Sequence, residues 1–126
     1  MNQESIEIIR KVQKENLACA MKSGTLPVLA TPQMIAWMEE AACLCLDLPE
    51  GQTSVGIRMN VSHDAPSALG ADIRIQARLL SVKGRKIEYE VSAYDGTKCI
   101  GKGVHTRFIV DQEKFLARVY PEKIET

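Results

Sequence analysis

The chain has 126 residues, 45% of them hydrophobic, and its 16 lysines and arginines balance 16 aspartates and glutamates. That is the length of one ordinary domain, with enough apolar material for a real core. The neutral balance, with no basic cluster interleaved with aromatics, excludes the electrostatic footprint of a nucleic-acid binder and leaves small molecules as the expected partners.

The opening "MNQESIEIIRKVQKEN" alternates charge with isoleucine and lacks the apolar run of a signal peptide, and no stretch of the chain is long enough to span a bilayer. A cytoplasmic location without membrane association is the expectation. Cys19, Cys43, Cys45 and Cys99 stand singly or as Cys-x-Cys in apolar surroundings, with no histidine near them. They read as buried free thiols acting as small hydrophobes, and no metal site is expected.

"NLACAMKSG" (residues 16–24) places Leu17, Cys19 and Met21 on one face at period two and predicts a first strand. "TPQMIAWMEEAACLCLDL" (residues 31–48) then predicts one long apolar helix, with Thr31 as its N-cap and Pro32 at its first helical position. "DLPEG" ends it, since Pro49 cannot continue the helix and Gly51 lets the chain turn.

Runs of strand type follow, punctuated by "LPEGQT", "APSALGAD", "VKGRK" and "YDGTK". Val55, Ile57, Met59 and Val61 share one phase, as do Ile73, Ile75, Ala77 and Leu79, and again Ile87, Tyr89, Val91 and Ala93. Asp95-Gly96 marks a hairpin turn into a last strand through Val110. Consecutive antiparallel strands with one oily face, preceded by one oily helix, predict an α+β fold in which sheet and helix bury each other. Gly101 and Gly103 lie in one phase of the last strand with His105 and Arg107, and either mark a bend or a close backbone approach there or are simply tolerated on an exposed face. "QEKFLARVYPEKIET" reads as a short amphipathic turn or a frayed tail.

The helix carries two adjacent glutamates. Gln33, Glu40 and Asp47 are spaced by seven and nearly superpose at about 100° per residue, so Glu40 belongs to a solvated polar stripe. Glu39 lies among Ile35, Met38, Ala42 and Leu46, aimed at the core or at a cavity rim. An unpaired buried carboxylate costs several kcal/mol, so Glu39 is either a functional group or a boundary residue reaching solvent along its stem. His63 continues the inner phase of its strand and is either a hydrogen-bonded structural residue or an acid–base partner converging with Glu39 on one pocket. Thr31 stands at the helix N-terminus, where peptide dipoles favour developing negative charge.

Taken together, "TPQMIAWMEEAA", "SVGIRMNVSH", "LLSVKGRKIEYEVSAYDG", "IGKGVHTRFIVD" and the closing "EKFLARV" closely resemble the hotdog-fold acyl-CoA thioesterases, in particular the fluoroacetyl-CoA thioesterase-like family, over about residues 15–118. The resemblance implies a hotdog fold, a curved antiparallel sheet wrapped around one long central helix. It further implies pairing of two subunits through their sheets, as a homodimer or a dimer of dimers, with active sites near the interface. It implies catalysis by Thr31, Glu39 and His63, which match the family's hydroxyl, its glutamate eight positions later and its strand-ending histidine. Gly56, seven residues before the histidine, and Arg107 in the last strand match its substrate contacts, which include His63 itself.

The implied reaction is hydrolysis of a short-chain acyl-CoA, with no cofactor beyond the CoA the substrate carries. Glu39 would act as general base on water or as direct nucleophile, His63 would orient the attacking group or protonate the leaving thiolate, and Thr31 would position carboxylate and water. The Gly56 N–H would help hold the carbonyl oxygen, and Arg107 would balance charge near the acyl group or the CoA phosphates. "MKSGTLPVLA", before the helix, is shorter and less aromatic than the family's selective lid, so fluoroacetyl specificity is not expected. A non-catalytic acyl-CoA binding module is the alternative. A hotdog hydratase fits less well, because Asp64 directly follows His63 and points to the opposite face of a strand.

Overall fold

In a computed structural model that describes residues 2–122, five strands form one antiparallel sheet: β1 (Ser5–Lys11), β2 (Gln52–His63), β3 (Asp72–Lys83), β4 (Lys86–Asp95) and β5 (Lys98–Asp111). The spatial order is β1-β3-β4-β5-β2. β3, β4 and β5 are joined by tight turns in which Gly84 and Gly96 adopt φ of 62° and 61°, the left-handed region that glycine enters without steric penalty. β2 does not neighbour β3, as a run of consecutive strands would have it. The connection through residues 64–71 is too long for a tight hairpin, and β2 pairs with β5 at the far edge.

The alternation is realised in full in β4 and over the first half of β3, where it ends at the half-buried Leu79 before a register shift. Ile73, Ile75 and Ala77 of β3 and Ile87, Tyr89, Val91 and Ala93 of β4 are all buried, on the face that meets the long helix α2 (Thr31–Leu44). α2 packs against β3 above all, and also against β1, β4 and β2. Met34, Trp37, Met38, Ala41 and Ala42 form its buried stripe at the i, i+3, i+4 spacing of an amphipathic helix. Gly101 of β5 is a close approach: a Cβ there would lie 2.7 Å from Met34 Sδ and 2.6 Å from the Ser62 carbonyl. Gly103 is tighter still, since its Cβ would meet the Asn60 carbonyl at 2.0 Å.

Several expectations are corrected. Residues 16–24 form no strand; a 3-10 turn (Lys14–Asn16) and the one-turn helix α1 (Ala18–Met21) stand there. Alanine favours helix, and of the three residues that set the apparent alternation only Leu17 is buried, while Cys19 and Met21 are exposed. The isoleucine alternation ahead of it is the actual first strand, β1, which pairs with β3. Thr31 is not the N-cap: Ala30 is, and its carbonyl receives the Gln33 and Met34 N–H groups. α2 also stops at Leu44, because the Gln3 N–H donates to the Cys45 carbonyl and the Asp47 N–H to Asn2 Oδ1, drawing the chain out of the helix.

Val55 and Ile57 do not share the inner phase of Met59, Val61 and His63. Before the bulge between Gly56 and Arg58 the inner residues are Ser54 and Gly56, opposite Ile109 and Arg107, while Val55 pairs with the exposed Phe108. The β-bulge makes Ile57 an extra residue and leaves it 56% exposed. The tail beyond β5 forms a third helix, α3 (Gln112–Val119), with no buried residue, and the last residues of that stretch, 123–126, lie outside the described residues. Among the described residues no helix is long and apolar enough to cross a membrane.

Candidate active site

The five candidate side chains and backbones fall into two groups. The first joins the start of α2 to the end of β2: Thr31 Oγ1 and His63 Nδ1 lie 2.7 Å apart. With Ala30 serving as N-cap, the Thr31 hydroxyl is free for this contact, and strand β2 delivers the imidazole to it at its last residue. Burial pushes the His63 pKa below its ordinary value, against the opposing pull of the Ala65 backbone and the Asp64 charge. His63 Nε2 is buried and meets no protein partner of normal hydrogen-bond geometry. The pair lines a cavity of about 260 Å³, with Ala18, Val28, Leu29 and Pro66 among its walls.

The second group gathers where the middle of α2 passes the β2 bulge and the far half of β5. Glu39 Oε2 lies 3.8 Å from Arg107 Nη1, and a Cβ at Gly56 would approach the same carboxylate oxygen to 2.9 Å. Gly56 and Arg107 are themselves paired across β2 and β5. The guanidinium is fixed from below, since Nε donates to Ser54 Oγ at 2.8 Å and Nη2 to the Ser54 carbonyl at 2.9 Å. The Arg107 side chain is only 8% exposed whereas that of Glu39 is 42% exposed, so the carboxylate stands at a rim rather than in the core. Glu40, on the outer face, takes a two-pronged contact from Arg10 of β1.

Glu39 and His63 do not converge within one chain. The eight helix residues from Thr31 to Glu39 rise about 12 Å, and Gly56 and His63 are separated by most of the length of β2. The wide groove on the outer face of the sheet, about 730 Å³ and lined by Asn60, Glu90, Ser92 and Lys102 among others, touches neither group. Sequence reasoning passes over Ser54 and His105, although His105 shares the inner phase of β5 with Arg107. That shared phase was the available signal.

The fluoroacetyl-CoA-specific thioesterase family, FlK, matches residues 12–113. The chain belongs to this family. The fluoroacetyl-CoA thioesterase of Streptantibioticus cattleyicolor is 38% identical over 94 residues, 73% of this chain and 68% of that one. A solved FlK structure superposes with a TM-score of 0.89 at 30% identity, covering 98% of each chain, and a FlK variant with 29% identity was solved with fluoroacetate and CoA. A thioesterase-superfamily protein of Thermus thermophilus, 25% identical, gives 0.87 with 96% and 91% of the two chains covered. A hot-dog-like protein of Thermanaerovibrio acidaminovorans, 24% identical, gives 0.85 with 99% and 94% covered. The fold is therefore the hotdog fold, and this FlK-family member is an acyl-CoA thioesterase, a thioester hydrolase.

Proposed function

We propose that the protein hydrolyses short-chain acyl-CoA thioesters with Thr31, Glu39 and His63 as its catalytic set, assembled across a homodimer. The observation that carries this reading is the pair of half-sites, a carboxylate opposed to a glycine and an arginine in one place and a threonine–histidine pair in another. β2 is a twelve-residue edge strand, and a long unpaired edge is a template for pairing with another chain. Antiparallel pairing of β2 with its copy reverses the strand, so that the Gly56 end of one protomer runs beside the His63 end of the other. Glu39 of one protomer then faces Thr31 and His63 of the partner subunit.

In this arrangement Glu39 takes a proton from water as the water oxygen adds to the thioester carbonyl, or adds directly through its own oxygen to give an anhydride that water then opens. Gly56 supplies room for the carbonyl beside the carboxylate and a backbone N–H for the developing oxyanion, while Arg107 offsets charge there. When the Thr31 hydroxyl donates to His63 Nδ1, the proton sits on Nε2, the atom left without a partner, ready for the departing thiolate. The products are a free acid and CoA. No cofactor is required beyond the CoA of the substrate.

The cavity beside Thr31 and His63, at about 260 Å³, falls below the range of about 300–1,000 Å³ that holds drug-sized ligands. Its small, non-aromatic walls favour a short acyl group over a selective fit to a fluorinated one. The cysteines are free thiols, of which Cys45 is buried whereas Cys19 and Cys43 are exposed rather than buried as expected, and free thiols suit the reducing cytoplasm in which we place the protein.

A hydrolysis screen over acyl-CoAs of graded chain length and polarity tests the proposal, with Glu39→Gln as control. Turnover should concentrate on short acyl groups and fall about 100-fold or more in the variant, the usual worth of a positioned base. Equal turnover by parent and variant would remove Glu39 from the mechanism.

A further inference from the structure

His105 lies beneath the Glu39–Arg107 pair and is 1% exposed. It is among the few polar side chains that the core encloses fully. Its ring stacks on Tyr89 of β4, centroids 6.1 Å apart and planes 24° apart, and Gly56 of β2 leaves room for it, since a Cβ there would come within 3.2 Å of Cε1. Both ring nitrogens are used. Nδ1 lies 2.8 Å from the Arg58 carbonyl, which terminates the β2 bulge, and Nε2 lies 3.2 Å from Arg107 Nη1.

These contacts assign the tautomer. A carbonyl can only accept, so Nδ1 carries the proton, and a guanidinium can only donate, so Nε2 presents its lone pair. One donor and one acceptor make a neutral imidazole.

We propose that His105 is a positioning residue for the thioesterase reaction: anchored through Nδ1–H to the bulge carbonyl of Arg58, it accepts an Arg107 N–H at Nε2 and so aims the guanidinium at Glu39. Ser54 holds two further nitrogens of Arg107, leaving Nη1 as the one shared between His105 and the carboxylate. The bulge thereby acquires a purpose beyond bending the strand, because it turns the Arg58 carbonyl toward His105. Protonating the ring would set an Nε2–H against an Arg107 N–H and break the chain of contacts. Burial opposes that proton, as does the Arg107 charge, whereas the Arg58 carbonyl and Glu39 favour it; the balance lies below the ordinary histidine value. Tyr89, the remaining titratable side chain against the ring, is itself held protonated by burial.

The inference rests on Glu39 and Arg107 acting on the substrate, and its test separates the two. In the full-length protein, 15N NMR of the imidazole should find Nδ1 protonated and Nε2 bare at neutral pH, and a distinct Arg107 guanidinium signal. His105→Leu should lose that guanidinium signal and lower kcat on a short acyl-CoA about tenfold or more, through misplacement of the site. His105→Gln, whose side-chain carbonyl can accept in place of Nε2, should recover most of the loss in kcat and restore the signal. A protonated Nε2 in the parent, or Leu and Gln variants with the same kcat, would overturn the positioning role. Full turnover by Glu39→Gln would instead overturn the catalytic reading, and the NMR pattern would still judge the contacts of His105.

Discussion

Glu39 and Glu40 are adjacent in sequence and meet different fates because about 100° of helix rotation separates them. Glu40 pairs with Arg10 on an exposed face, and exposed pairs are worth little, so Glu40→Gln should keep turnover within about twofold of the parent. An equal loss at positions 39 and 40 in the same hydrolysis assay would mean that the two faces are assigned wrongly. The glycines divide in the same manner. At Gly56 an added Cβ meets first the far end of the Glu39 side chain at 2.9 Å, which can swing aside. Gly56→Ala should therefore fold but lose kcat, and should melt somewhat below the parent because its Cβ also comes within 3.2 Å of the fixed His105 ring. At Gly103 the obstacle is the Asn60 backbone carbonyl at 2.0 Å, which cannot move without β2. Gly103→Ala should cost about 3 kcal/mol or more, read as an early denaturation midpoint.

At the scale of elements, what the sequence made legible was what periodicity alone decides. β4 and the first half of β3 bury every second residue, and α2 buries a stripe, so their faces could be read directly from Ile73, Tyr89 or Met38. Met34→Ala, at the contact between α2 and Gly101, should cost about 2–5 kcal/mol as a core truncation, measured by chemical denaturation. What was not legible depends on tertiary context. The bulge at Ile57 leaves no mark in an apolar alternation that continues through it, and only pairing with β5 reveals the slip. Residues 16–24 alternate as a strand would, yet no neighbouring strand is there to receive them. β1 is hard to read from sequence because its isoleucines are spaced among charges that face solvent on the sheet edge.

For the whole molecule, the candidate site was legible in residue type and spacing, and its division into halves was not, because helix rise and strand length become distances only once the elements are packed. Two histidines, His63 half-buried and His105 buried, also tie stability to pH. His63 and His105 both have folded pKa values below the ordinary 6.5. The unfolded chain binds their protons more readily, so their contribution is fully present above about pH 6.5 and is lost as pH falls toward the folded values. The melting temperature should fall on acidification from pH 7 to 5, and less so in His105→Gln; a flat profile would contradict the two desolvated, neutral rings.

The most direct measurement is complementation. Glu39→Gln and His63→Gln, each inactive alone, are mixed and allowed to exchange subunits. If each site takes Glu39 from one protomer and His63 from the other, the heterodimer regains one intact site, and the mixture should recover about a quarter of parental acyl-CoA hydrolysis, half the dimers with half their sites. If mixing restores no activity although heterodimers form, the catalytic set does not cross the interface and the two half-sites do not make one active site.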